Sequence, residues 1–87
     1  MEIIKKGVAG TMQSSDLMVF VEPADTLRLE IESTVIKQFG HLIRAKADEV
    51  LAKNGVTAGF IRLTDRGALD YAIEARIETA LQRASAA

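Results

Sequence analysis

The sequence predicts an α+β domain: a two-layer sandwich with two helices on one face of a mostly antiparallel sheet of about four strands. Three observations lead there. Leu27-Arg28-Leu29-Glu30-Ile31-Glu32 alternates apolar and charged residues at period two, the pattern of a half-buried strand. Two later stretches, Val35 to Leu51 and Leu69 to Leu81, repeat apolar residues at three- and four-residue steps, the pattern of helices with one apolar face. A chain of 87 residues suffices for a single domain over 1–87 and not for two, so helices and strands must cover one another.

Taken in order, Gly7-Val8-Ala9-Gly10-Thr11 reads as a short strand. Met12-Gln13-Ser14-Ser15-Asp16 is small and polar, as an exposed turn is. Leu17-Met18-Val19-Phe20-Val21 is a continuous apolar run, so the two stretches form a hairpin with both serines at its tip. Pro23-Ala24-Asp25 ends that strand, and the alternating strand runs from Thr26 to Ser33. The first helix follows, with Ser33 or Thr34 as its cap, Val35, Phe39, Leu42, Ile43, Ala47, Val50 and Leu51 as its buried face, and Asn54-Gly55 as its left-handed exit. Val56 to Thr64 is a further strand. In Asp65-Arg66-Gly67 the aspartate is placed to accept backbone hydrogen bonds. The second helix buries Leu69, Ala72, Ile73, Ile77, Ala80 and Leu81 and leaves Arg66, Asp70, Glu74, Arg76, Glu78 and Arg83 mostly in solvent. The order is β-β-β-α-β-α.

Composition argues against several functions. The net charge is −1, acids and bases are interspersed, and Lys5-Lys6 is the one adjacent basic pair, so no phosphate-binding face is concentrated anywhere. With no tryptophan and four aromatic residues spread along the chain, a base-stacking platform has little material. Nucleic acid is not expected as a partner. No apolar run approaches a membrane span, and the first residues lack the apolar core of a signal peptide, so the expected location is the cytoplasm, away from membranes. There is no cysteine, hence no disulfide, thiolate metal site or cysteine nucleophile.

Among chemistry-bearing residues, His41 stands alone near the start of the first helix. A general base or metal ligand needs a positioned partner, so a boundary residue is the better reading and no metal site is expected. Glu30 with Glu32, and Asp48 with Glu49, read as solvated faces rather than tuned acid–base pairs. The six glycines do not form a phosphate-cradling loop, and Gly59 marks a bulge or close packing. That leaves Ser14-Ser15-Asp16. By residue type alone this is turn chemistry, and no Ser-His-Asp arrangement accompanies it. No catalytic residue is expected; a functional serine here must be acted on by something else.

Val8-Ala9-Gly10-Thr11-Met12-Gln13-Ser14-Ser15-Asp16 resembles the N-terminal segment of the citrate lyase acyl carrier protein, or gamma chain. The likeness continues in Ser33-Thr34-Val35-Ile36-Lys37-Gln38-Phe39-Gly40, in Asp65-Arg66-Gly67-Ala68-Leu69-Asp70 and in Ala75-Arg76-Ile77-Glu78-Thr79-Ala80-Leu81, in the family's order and at matching spacings, from about Val8 to Ala84. The resemblance implies a non-catalytic carrier subunit. In that family the serine of a Gly-Thr-x-x-Ser-x-Asp segment, which falls on Ser14, is linked by a phosphodiester to 2'-(5''-phosphoribosyl)-3'-dephospho-CoA. The family commonly has glycine where this chain has Ser15, a position suited to a positive φ, and Ser15 stays as the alternative anchor. Implied partners are an alpha subunit that exchanges acetyl for citryl on the arm's thiol and a beta subunit that cleaves the citryl thioester to oxaloacetate. A transferase that attaches the arm and a ligase that acetylates it complete the set. Gln13 and Asp16, beside the tip, are candidate recognition residues.

Three other readings remain at this point: the acyl carrier subunit of malonate decarboxylase, an unmodified α+β interaction module, and a stand-alone hydrolase using Ser14. The Asp65–Asp70 block and the C-terminal helix favour citrate lyase over malonate decarboxylase.

Overall fold

A computed structural model describes residues 1–85. Its elements are β1 (Gly7–Gly10), β2 (Leu17–Glu22), β3 (Leu27–Ser33), α1 (Ile36–Lys53), β4 (Gly59–Asp65) and α2 (Asp70–Ala84), in the order the periodicity predicts. The strands form one sheet in the order β1-β2-β4-β3. β2 pairs antiparallel with both β1 and β4, while β3 pairs parallel with β4. The parallel pair follows from what joins it, since two parallel neighbours need a crossover and the helix α1 is one. In this register Leu17 lies opposite Asp65, and Asp65 opposite Ser33. Three segments distant in sequence thus meet in one row at one end of the sheet.

One sheet face is buried under both helices. Period-two alternation turns Ala9, Leu17, Val19, Val21, Ile61 and Leu63 inward, and they pack with Ile43, Ala47, Val50 and Leu51 of α1 and Ile73, Ile77, Ala80, Leu81 and Ala84 of α2. Full burial of one such branched side chain is worth about 1.5–3 kcal/mol, which lets so short a chain hold a core without a disulfide. Gly7 sets the approach of α2 to β1: a Cβ there would run into the Ala80 carbonyl oxygen and the Ala84 backbone. α1 and α2 are also joined by Glu74, which receives Lys46 at 3.2 Å and Lys53 at 2.7 Å. The Lys53 bond first, then that of Lys46, lowers the Glu74 carboxyl below its ordinary value.

Among the described residues the opposite sheet face carries no helix. Its aromatic rings lie beneath arginines instead, Arg62 at 4.7 Å from the Phe20 ring centre and Arg28 at 5.3 Å from that of Phe60, in the geometry of a cation–π contact. No helix among the described residues is long and apolar enough to cross a membrane.

Several local expectations change. Phe39, Leu42 and Leu69 are not core residues; they are 46%, 55% and 61% exposed. An apolar period shows that a helix has an apolar face, not that something covers it. Neither Ser33 nor Thr34 caps α1, which begins after Val35 with no side-chain cap. The Ser33 hydroxyl accepts the Val35 N–H at 3.1 Å and donates to Asp65 at 2.8 Å, closing a turn instead. β4 starts at Gly59 rather than Val56, because the Val56 N–H donates to Leu51 O at 3.0 Å and finishes the helix exit. Glu74, Arg76 and Glu78, expected mostly in solvent, are half-buried and bonded.

Candidate functional site

The segment between β1 and β2 is short, polar and tightly held. Gly10 enters it with φ +95°, and a Cβ there would collide with the Leu17 carbonyl oxygen that accepts the Thr11 N–H at 3.2 Å. Glycine is therefore what lets the hairpin close. Ser15 has φ +64°, the left-handed conformation that costs a residue with a Cβ about 1–2 kcal/mol and suits glycine.

Asp16 turns inward. Its carboxylate accepts the Thr11 hydroxyl, the Leu17 N–H at 2.8 Å, and both Nε (3.1 Å) and Nη2 (3.0 Å) of Arg76 from α2. Only 15% of the Asp16 side chain is exposed. The Thr11 hydroxyl above all, then Arg76 and the Leu17 N–H, hold its carboxyl at about 2 against the upward push of burial. Asp16 is thus a clasp between the hairpin and α2 rather than an exposed residue for partner recognition; Gln13 is exposed.

The tip is also stitched to the turn after β4. The Ser15 N–H donates to Arg66 O, and the Arg66 N–H donates to Asp16 O, each at 2.8 Å. That turn is pinned in its own way. Asp65 is 2% exposed and accepts the Gly67 N–H at 3.1 Å, the Ala68 N–H at 2.9 Å and the Ser33 hydroxyl at 2.8 Å. The sequence foresaw its backbone bonds. Ser33 and Arg76 carried no local signal, since they lie 32 and 60 residues from their partners.

Between these fastenings Ser14 is exposed, and among the described residues its hydroxyl bonds to nothing. The lone histidine, His41, is exposed on α1, and no three potential metal ligands gather among the described residues. A serine hydroxyl with no adjacent base is a poor nucleophile at neutral pH, and the loop leaves this one facing water between hydrogen-bonded neighbours.

The clasp predicts a pH effect. A carboxyl whose folded pKa is depressed contributes fully above its unfolded value near 4, and the contribution is lost as pH falls through about 2. At pH 6 Asp16→Asn should cost about 1–2 kcal/mol, and the gap to the parent protein should close between about pH 4 and pH 2. Urea unfolding of both proteins across that interval measures it; a gap that stays constant would deny the clasp its charge.

The family profile described as "Malonate decarboxylase delta subunit (MdcD)" matches residues 4–84. A protein of Haemophilus influenzae (strain PittEE) named citrate lyase acyl carrier protein is 52% identical over 85 residues, covering 98% of this chain and 90% of the relative. One of the same name from Albidiferax ferrireducens is 53% identical, covering 95% of this chain and 87% of its own length. Another, from Halothermothrix orenii, is 48% identical, with 98% and 92% covered. In a crystal structure of a Pseudomonas malonate decarboxylase hetero-tetramer in complex with malonate, one chain shares this fold with a TM-score of 0.80 at 21% identity, over 93% of this chain and 84% of that one. The chain belongs to the citrate lyase acyl carrier protein family.

Proposed function

We propose that this protein is the acyl carrier subunit of a citrate lyase and that Ser14 is its anchor. The observation that carries the reading is the Ser14 hydroxyl, exposed and unbonded at a tip whose neighbours on both sides are fastened, in a chain without cysteine. A swinging acyl carrier needs a thiol. The attached 2'-(5''-phosphoribosyl)-3'-dephospho-CoA supplies it, and with it the acetyl and citryl thioesters. The tip suits such a group: Ser14 faces water, its neighbour Ser15 is small, and the cationic side chain of Arg66 is exposed beside the loop, where an anionic phosphodiester is stabilised.

In this reading the chain's own residues hold and present. Asp16 with Arg76 and Asp65 with Ser33 keep the loop in one shape for the transferase that loads it. The tether then keeps the acyl group at a local concentration of about millimolar for docked partners. Those partners are the alpha subunit (acyl transferase), the beta subunit (citryl lyase) and the acetylating ligase, in the cytoplasm. The malonate decarboxylase carrier reading has the family description and the fold likeness on its side, but the relatives at about half identity bear the citrate lyase name.

Intact mass of the protein isolated from its host, followed by peptide mapping across Gly10–Leu17, tests the proposal. The expected result is a mass above that of the sequence by one prosthetic group, on the peptide and at Ser14. A protein at its bare sequence mass under conditions of citrate cleavage would sink it.

A further inference from the structure

An apolar groove of about 770 Å³ opens between the first turns of α1 and the turn leading into α2. Phe39 and Leu42 wall it on one side, Leu69 and Tyr71 on the other, and Gly67-Ala68 form its near end. Tyr71 is 75% exposed, and the other three are the residues whose expected burial failed. The volume lies within the range of about 300–1,000 Å³ common for small-molecule sites. Its near end is the same turn that Asp65 pins and that exchanges two backbone hydrogen bonds with the Ser15-Asp16 end of the hairpin tip. The groove therefore begins where the loop bearing Ser14 is fastened. Arg66, at that junction, is exposed and in no ion pair among the described residues.

We propose that this groove binds the nucleotide portion of the arm, with its adenine stacked against Phe39 and Tyr71 and its anionic linkage beside Arg66. The inference rests on the reading of Ser14 as the anchor. The chemical order of the arm selects the nucleotide: outward from the serine come the phosphodiester, the ribose and the adenosine, and only then the diphosphate and pantetheine. Adenine is thus the first group with an apolar face to leave the loop, and the groove is the apolar hollow whose near end, Gly67-Ala68, adjoins the fastening of Ser15 to Arg66. Stacking of a base on an aromatic side chain is worth about 1–3 kcal/mol. At the concentration of about millimolar that a tether supplies, half occupancy needs about 4 kcal/mol of intrinsic binding, which stacking on both rings together with the Arg66 contact is of a size to reach. Arg66 gives the matching charge for the linkage: its backbone is bonded to the tip, and the next residue, Gly67, lines the groove. The pantetheine and its thiol lie beyond the groove and stay free to enter a partner's site.

Tyr71 is the chain's single tyrosine and there is no tryptophan, so its emission reports on the groove directly. The comparison is between the apo protein and the protein loaded by the transferase, with loading verified by intact mass. On loading, Tyr71 emission should fall at least about twofold through base stacking. The amide resonances of Phe39, Leu42, Gly67 and Leu69 should shift, while those of Phe20 and Phe60 on the open sheet face stay in place. Tyr71→Ala, a change at an exposed position, should more than halve the shifts at Phe39 and Leu42 in loaded protein. In titrations of the apo protein, adenosine 5'-diphosphate should move the same amides and pantetheine should not. A loaded protein with unchanged emission and groove amides overturns the inference and leaves the anchor reading intact. So does a groove that answers pantetheine alone, or only an added alpha or beta subunit. A chain that never gains the arm's mass removes the anchor reading first, and this inference with it.

Discussion

Ser14→Ala should leave the protein folded and end its loading: in the presence of the transferase and its substrate, the intact mass stays at the value of the sequence. If Ser14 is the anchor, as proposed, the loss should be complete, because the substitution removes the oxygen that would enter the phosphodiester and the neighbouring Ser15 hydroxyl is not the one loaded. Folding is spared because the Ser14 side chain is exposed and unbonded among the described residues, and such positions change stability by less than about 0.5 kcal/mol. Ser15→Gly is the companion experiment. It relieves a left-handed residue with φ +64° at the entropic cost of a glycine, two effects of about 1 kcal/mol that nearly cancel. Loading should continue at the parent rate. A Ser15→Gly protein that cannot be loaded, beside a Ser14→Ala protein that can, would move the anchor one residue along.

Asp65→Ala should be the most destabilising single change at this end of the molecule, at about 3 kcal/mol, read as a fall in the urea midpoint. The carboxylate is buried and takes three hydrogen bonds, from Ser33, Gly67 and Ala68. Removing it strands one hydroxyl and two backbone N–H groups, each costing about 1–3 kcal/mol if left unpaired and less where water enters. Against a total stability of about 5–15 kcal/mol for a small domain, that is a large fraction. Asp65→Asn should fall between, since it keeps one accepting oxygen and turns an NH2 group toward existing donors. A loss under about 1 kcal/mol for the alanine variant would show the turn held by other means.

The sequence disclosed most of the architecture, because strand alternation and helical periodicity are local. β3 is called within one residue of its observed start, and β2 begins at Leu17 as expected. What it hid was whatever depended on a distant partner. The parallel pairing of β3 with β4 has no mark in either strand, and Ser33 looks like a helix cap until Asp65 arrives beside it. Phe39, Leu42 and Leu69 fit the apolar period as well as Ile43 or Ile77 does, and only the assembled layers show that the described residues leave them about half exposed. The site was legible in part. Residue types marked the tip as a turn and the family likeness singled out Ser14, but Arg76 as the partner of Asp16 could not be found from spacing.

The row of the sheet that brings Leu17, Asp65 and Ser33 abreast has a consequence for when the carrier becomes useful. Its tip is bonded to Arg66 after β4 and to Arg76 of α2, so a nascent or cut fragment lacking those segments should not hold that shape. If the loading enzyme recognises the shaped tip, attachment of the arm acts as a certificate of completed folding, and misassembled copies stay bare and out of the catalytic cycle.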